Sequence, residues 1–223
     1  MKSDGSLVTA ADRELEAFLT EALSREFPGT GIVGEEGANV EGADRWHIDP
    51  IDGTTAFVQR LAHWGPTICL VQDGRLEVGA FYMPRLDEFW FAQRGGGAWL
   101  DDTRLSSPDP GRVERQDALF APSNFHRRSP VPWPGKIRAL GSSAAHLALV
   151  AAGSGLLTVI PKWELWDIGC GVLLMEEAGR RVCDAVGEGV EVTTCRTGLP
   201  ILAGASTALN LLTADGWAKQ ALE

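Results

Sequence analysis

Four cysteines in 223 residues, Cys69, Cys170, Cys183 and Cys195, are too few for a disulfide scaffold, and no CxxC spacing supports a zinc site. They are expected to be reduced and mostly buried. No apolar run approaches the ~20 residues that a helix needs to cross a bilayer. The opening Met1-Lys2-Ser3-Asp4-Gly5 lacks the hydrophobic stretch of a signal peptide. The expectation is a cytoplasmic protein with no membrane partner. Basic residues are also in deficit: 20 Lys and Arg face 30 Asp and Glu, a net charge of −10, which argues against general nucleic-acid binding. Internal repeats, heptads and low-complexity tracts are absent. What is present, 44% hydrophobic and 22% charged residues, suits a globular chain long enough for one large domain or two lobes.

Hydrophobic spacing outlines the elements. Thr9 is a candidate N-cap, and Leu15, Phe18, Leu19, Ala22, Leu23 and Phe27 repeat at helical intervals up to the stop at Pro28-Gly29. Short strands are predicted at 32–33 and 46–48. Residues 67–72 and 76–83 flank Asp73-Gly74, a two-residue hairpin signal. A further hairpin, 89–92 and 98–100, turns on Gly95-Gly96-Gly97, which lacks the Lys-Ser/Thr of a phosphate loop and reads as a turn. The Ser-, Pro- and Gly-rich stretch 106–111 marks a boundary between an N-terminal α+β lobe (1–110) and a C-terminal α/β lobe (111–223). In the second lobe, strands are predicted at 118–120, 137–140, 156–160 and 201–202, helices at 142–152, 166–178 and 206–222, and a proline-rich surface loop at 122–135.

Within this frame, Trp46 to Thr55 reads Trp-His-Ile-Asp-Pro-Ile-Asp-Gly-Thr-Thr. A β-prone run ends in two carboxylates, Asp49 and Asp52, and passes into a segment suited to open a helix. Carboxylates hold hard divalent cations, and a helix N-terminus offers free amides to an anion. Metal-assisted phosphoryl chemistry is one reading; a strand followed by an ordinary turn is the other. A calcium loop fits poorly, because the twelfth position from Asp49 is Arg60 where a bidentate Glu is required. On so acidic a protein a phosphate ester is repelled unless cations intervene, and clustered acids that recruit Mg2+ reverse the local charge.

The run Asp-Pro-Ile-Asp-Gly-Thr-Thr-Ala-Phe closely resembles the signature of the inositol monophosphatase family of Mg2+-dependent, lithium-sensitive phosphatases. Three more segments match in order: Val8-Thr9-Ala10-Ala11-Asp12, Gly34-Glu35-Glu36-Gly37, and Trp166-Asp167-Ile168-Gly169-Cys170-Gly171 with Glu177-Ala178-Gly179. The likeness runs from Lys2 to about Leu212. It implies an α/β fold, the layered α+β sandwich of sugar phosphatases with alternating helix and sheet layers, and a phosphoric monoester hydrolase that uses two or three Mg2+ ions.

The resemblance also implies roles. Glu35, Asp49, Asp52 and Asp167 match side-chain metal ligands, and Ile51 matches a carbonyl ligand. Gly53, Thr54 and Thr55 match phosphate contacts. Thr54 and Glu35 match the pair that orients and deprotonates water, and Asp12 matches an acid that supports a weaker metal or its water. Ser142 and Ser143 lie in a Gly-Ser/Thr-Ala-Ala-like element beside the substrate, with Asp52 and Asp167 as further substrate contacts; Glu164 is a candidate contact only as the acid nearest the family's inositol-binding position. Taken singly, Asp12 and Asp167 also suit first-turn helix acids, Ser142 an N-cap and Glu164 a surface acid. Family members carry an additional helical segment before the element that begins here at Lys2, so part of the first sheet is expected to be uncovered unless a partner subunit covers it; a homodimer is expected.

The chain departs from the pattern at Ala56 (usually Asn), Gly169-Cys170 (usually two Ala) and Arg180 (usually Gly), none of them a ligand. The Glu that binds inositol in inositol-specific members falls at about Ile160. The expected substrate is therefore a small sugar or polyol phosphate without strong preference for inositol 1-phosphate. Histidinol phosphate is the first alternative, on Arg13, Trp64 and the Trp90 to Trp99 run, and an adenosine bisphosphate the second. A non-catalytic metal or phosphate sensor is the alternative from another class.

Overall fold

The computed structural model describes residues 9–127, 130–194, 199–214 and 216–222. The elements are α1 (Ala10–Glu26), β1 (Gly31–Gly34), β2 (Asn39–Val40), β3 (Arg45–Asp52), α2 (Thr54–Val58), β4 (Gly65–Gln72), β5 (Arg75–Met83), β6 (Glu88–Gln93), β7 (Gly97–Leu100), β8 (Thr103–Arg104), β9 (Ala118–Phe120), β10 (Lys136–Arg138), α3 (Ser143–Ala151), β11 (Leu157–Ile160), α4 (Leu165–Glu177), β12 (Arg181–Cys183), β13 (Ile201–Gly204), α5 (Ser206–Thr213) and α6 (Trp217–Leu222). Strands β1–β8 form one sheet in the order β2-β1-β3-β4-β5-β6-β7-β8. The others form a second, β10-β9-β11-β13-β12.

Alternation along single strands sets the layers. On β4, Ile68 and Leu70 pack with Leu19 and Leu23 of α1 on one face, while Cys69 joins α3 and α4 on the other. On β11, Leu157 and Val159 face α5 and α6, and Ile160 faces α3 and α4. The result is a five-layer stack: α1, first sheet, α3 with α4, second sheet, α5 with α6. This is the expected mixed α/β layered sandwich. At its centre α4 lies very close to its neighbours. A Cβ on Gly169 would run into the Cys69 Sγ, and one on Gly171 would meet Leu147. The Gly169 departure thus makes room for a cysteine on the facing strand.

Several sequence expectations need correction. The buried face of α1 carries Asp12, Glu16 and Leu23, whereas Phe18 is 64% exposed, so the helix is rotated from the face its apolar residues suggest. Two carboxylates one turn apart occupy that face because each accepts specific hydrogen bonds. The helix expected over 206–222 is two helices, α5 and α6, with Gly216 between them at φ 69°. Strand β10 begins at Lys136 and ends at Arg138, before the predicted end at Leu140. The loop 122–135 is anchored by buried Phe125 and Trp133, so it is more than surface chain. The short strands β2, β8 and β12 have too little apolar alternation to be read in advance. The Asp73-Gly74 hairpin forms as expected, with both residues at positive φ. Cys69, Cys170 and Cys183 are free and buried; Cys195 lies outside the described residues, as do Lys2 to Val8. No helix among the described residues is long and apolar enough to cross a membrane.

Candidate active site

The first two acids are set by a defect in a strand. Between Asp49, opposite Thr67, and Asp52, opposite Gly65, β3 carries one residue more than β4, a bulge that accommodates Pro50, which has no N–H for the ladder. The Asp49 Oδ1 accepts the Ile51 N–H at 2.8 Å. Gly53 then turns the chain at φ 91° as the N-cap of α2, placing Thr54 and Thr55 at the start of that helix. The Thr54 hydroxyl donates to the Ile51 carbonyl at 3.3 Å.

Two longer helices meet this corner end-on. Ser142 is the N-cap of α3: its Oγ accepts the Ala145 N–H at 2.9 Å and donates to the Asp52 carboxylate. Asp52 further accepts the N–H groups of Ser143 at 3.3 Å and Ala144 at 2.7 Å. A Cβ on Gly53 would stand 3.0 Å from Ser142 Cβ, at a φ of 91°, so glycine both suits the turn and eases the close approach of the α2 and α3 starts. Glu164 is the N-cap of α4; its N–H donates to Asp167 Oδ2 at 2.7 Å. Asp12 repeats that arrangement at the head of α1, accepting the Thr9 N–H at 2.8 Å. First-turn capping is therefore real for both acids. It occupies one oxygen of each, and among the described residues the buried Asp12 Oδ1 has no hydrogen-bond partner.

The charges report who stands together. Burial, then the charges of Asp52, Glu35 and Asp167, hold the Asp49 carboxyl well above the usual carboxylate range, and Asp49 shares a hydrogen bond with Glu35. Burial pushes Asp52 up to about 6 against the Ser142 hydroxyl and the α3 amides, which favour its charged form. Burial and the Asp52 charge push Asp167 up to about 7. Loss of solvent first, and like charges nearby second, have this effect on carboxylates that lack a counter-charge. Glu35, Asp49, Asp52 and Asp167, drawn from three separate segments, thus form one coupled cluster. Asp12 is not among the principal charges they feel.

Oxygen donors, buried at Asp49 and Asp52, half-buried at Glu35 and Asp167, and short of positive charge, suit a hard cation such as Mg2+, and the Asp12 Oδ1 fits the same chemistry. As placed, no three of the acids among the described residues converge as a ready-made ligand set. Several of their oxygens face hydrogen-bond donors instead.

Sequence reasoning missed Glu16. It is 5% exposed, and its carboxylate accepts the Glu36 N–H at 2.7 Å and the Ala38 N–H at 2.8 Å. It therefore holds the turn that carries Glu35, while Glu35 itself donates its N–H to the Ile48 carbonyl at 3.1 Å. A Cβ on Gly34 would collide with the Glu16 carboxylate. The available signal was an acid in register with Asp12, Leu19 and Leu23 on one helix face.

Beside the cluster opens a cavity of about 270 Å³ whose walls include Thr55, Ser142, Ser143, His146, Ile160 and Lys162. Ser142 and Ser143 are thereby brought to both acids and cavity. Glu164 does not line it. His146 is buried and neutral: burial lowers its pKa to about 4, and Nε2 accepts the Leu140 N–H at 3.0 Å.

A chain with this fold and acid cluster falls in the class of layered sugar phosphatases. Residues 1–220 match the model of the inositol monophosphatase family. The chain is 35% identical over 206 residues to an inositol-1-monophosphatase of Mesorhizobium japonicum, covering 84% of this chain and 75% of that protein. It is 31% identical to a fructose-1,6-bisphosphatase/inositol-1-monophosphatase of Thermotoga maritima, over 82% of this chain and 73% of the other. The crystal structure of the extragenic suppressor protein suhB from Bartonella henselae superimposes with a TM-score of 0.85 at 27% identity, covering 97% of this chain and 86% of that one. The chain belongs to the inositol monophosphatase family and is a phosphoric monoester hydrolase of that family.

Proposed function

We propose that the protein is a Mg2+-dependent phosphatase of small sugar or polyol phosphates. The observation that carries this is the coupled cluster of Glu35, Asp49, Asp52 and Asp167 at the meeting of three helix starts, beside a cavity sized for a small alcohol. Glu35, Asp49, Asp52, Asp167 and the Ile51 carbonyl would hold the ions, with Asp12 supporting a further one. When bound, Mg2+ neutralises phosphoryl charge, acidifies a water and stabilises the departing alkoxide. The Gly53, Thr54 and Thr55 amides receive the phosphate. The Thr54 hydroxyl and Glu35 orient the attacking water, and the Glu35 carboxylate takes its proton as its oxygen bonds to phosphorus. The ester P–O bond breaks, and the proton balance closes on the alkoxide, giving alcohol and inorganic phosphate. Asp52 and Asp167 orient the alcohol, with Ser142 and Ser143 beside it. The family resemblance supports a cytoplasmic homodimer, read directly by analytical ultracentrifugation.

Phosphate release across a panel of phosphomonoesters, with Mg2+ and with excess chelator, tests the reading. Turnover is expected only with Mg2+, with inhibition by millimolar-scale lithium; undiminished turnover in chelator sinks it. Thr54→Ala is expected to lower kcat far more than Mg2+ affinity, and wild-type behaviour would remove the water-activation role.

A further inference from the structure

The cavity beside the acids has a polarity that the phosphate chemistry does not require. Its walls near the α3 N-terminus include Thr55 and Ser143, and its β11 side is closed by Ile160, 3% exposed, whose side chain offers no hydrogen bond. The other titratable group, His146, is buried with Nε2 already occupied. That leaves Lys162, exposed at the rim, as the one charged residue among the described lining residues. Lys162 makes no ion pair among the described residues. On a chain of net charge −10, an uncompensated ammonium at the mouth of a substrate cavity is a local reversal of sign. The reacting phosphate is assigned above to the acid cluster and the start of α2, which leaves Lys162, on the cavity wall, for the part of the substrate attached to it.

Resting on the phosphatase reading above, we infer that Lys162 is a specificity-determining residue, selecting phosphate esters whose alcohol portion carries a second anionic group, a phosphate or a carboxylate. A lysine ammonium suits either as a compact point charge with rotatable donors. An alcohol that carries an ammonium, as histidinol does, meets like charge and is disfavoured. A neutral polyol gains nothing from Lys162. Electrostatic selection of this kind acts largely by rejecting the wrong sign.

The experiment compares wild type, Lys162→Met and Lys162→Glu on esters matched except for charge. 3-Phosphoglycerate against glycerol 1-phosphate reads a carboxylate, fructose 1,6-bisphosphate against fructose 1-phosphate reads a second phosphate, and phosphoethanolamine reads a cation. Wild type is expected to favour at least one anionic ester over its neutral partner by roughly three- to tenfold in kcat/KM, the size of one partly solvated charge contact, mainly through KM. In Lys162→Met that ratio should fall to about one, and Lys162→Glu should shift preference toward phosphoethanolamine. Equal treatment of both pairs by wild type, or a preference that survives in Lys162→Met, overturns the inference. If none of the esters is hydrolysed, the phosphatase reading fails by itself. Calorimetric titration of the same esters with Ca2+ in place of Mg2+ then decides the role of Lys162: a preference for anionic esters lost in Lys162→Met supports it, and equal binding overturns it.

Discussion

The Ser142 hydroxyl donates to the Asp52 carboxylate across 90 positions of sequence while its oxygen accepts the Ala145 N–H. One side chain therefore caps α3 and orients an acid on β3. Ser142→Ala removes both. Loss of the cap costs about 1 kcal/mol, and a buried carboxylate deprived of one donor adds a similar amount. The expected outcome is a Tm several degrees lower and a fall in kcat of about tenfold or more. Ser142→Thr should recover much of both, and a variant with wild-type kcat would break the link between cap and acid.

Asp49→Asn and Asp52→Asn are expected to abolish phosphate release, since each removes charge from the set that gathers cations. Both should also raise Tm in chelator, because the remaining acids repel less in the folded state. Thermal melts with and without Mg2+ read this. A lower Tm for both variants in chelator would mean that repulsion among the acids is outweighed by the hydrogen bonds each carboxylate accepts, leaving burial as the cause of the raised pKa values.

The same cluster sets a pH dependence. Asp52 and Asp167 titrate at about 6 and about 7 in the folded chain, above the ordinary 3.8. The folded state thus binds these protons more tightly than the unfolded one, so the associated stability is full at low pH and lost as pH rises through 6 to 7. His47 and His146, both lowered to about 4, act oppositely as pH falls below 6.5. In chelator, Tm should rise on acidification from pH 8 to about 6.5 and then level or turn over. Mg2+ should flatten the slope. A Tm that falls over that first interval contradicts the assignment.

Glu16 acts on the site through the turn that carries Glu35. Glu16→Ala leaves the Glu36 and Ala38 N–H groups without their acceptor and should raise the Mg2+ concentration for half-maximal activity by about tenfold, as loss of groups that orient metal ligands commonly does. Glu16→Gln keeps one acceptor oxygen and should fall between. Metal titration by calorimetry checks this apart from turnover, and unchanged Mg2+ affinity in Glu16→Ala would make Glu16 merely structural.

Gly169→Ala should destabilise the chain by about 1–3 kcal/mol through overpacking against Cys69. The pair Gly169→Ala with Cys69→Ala should cost less than the sum of the single changes, which denaturant unfolding of all three variants measures. Additive costs would mean that the two residues do not share that space.

The sequence by itself determined the acids, their order and the elements that carry them. Asp49-Pro50-Ile51-Asp52-Gly53-Thr54 encodes much of its own geometry, because a proline cannot join a regular ladder, a glycine permits positive φ, and both act within a few residues. The Asp73-Gly74 hairpin and the α3 and α4 helices were legible for the same reason. Tertiary structure decided what depends on partners distant in the chain. Glu16 looked like one more helix acid until the turn after β1 folded over it, and the buried face of α1 follows those carboxylates against the pull of Phe18. Gly169 looked like a departure until Cys69 stood opposite. Ser142 could be read as a cap, but its hold on Asp52, and the place of Lys162 at the mouth of the cavity, arise only when strands and helix starts from separate segments converge. Local conformational preference is written in neighbouring residues, whereas pKa values, close packing and the sign of a cavity depend on what the fold brings within a few ångströms.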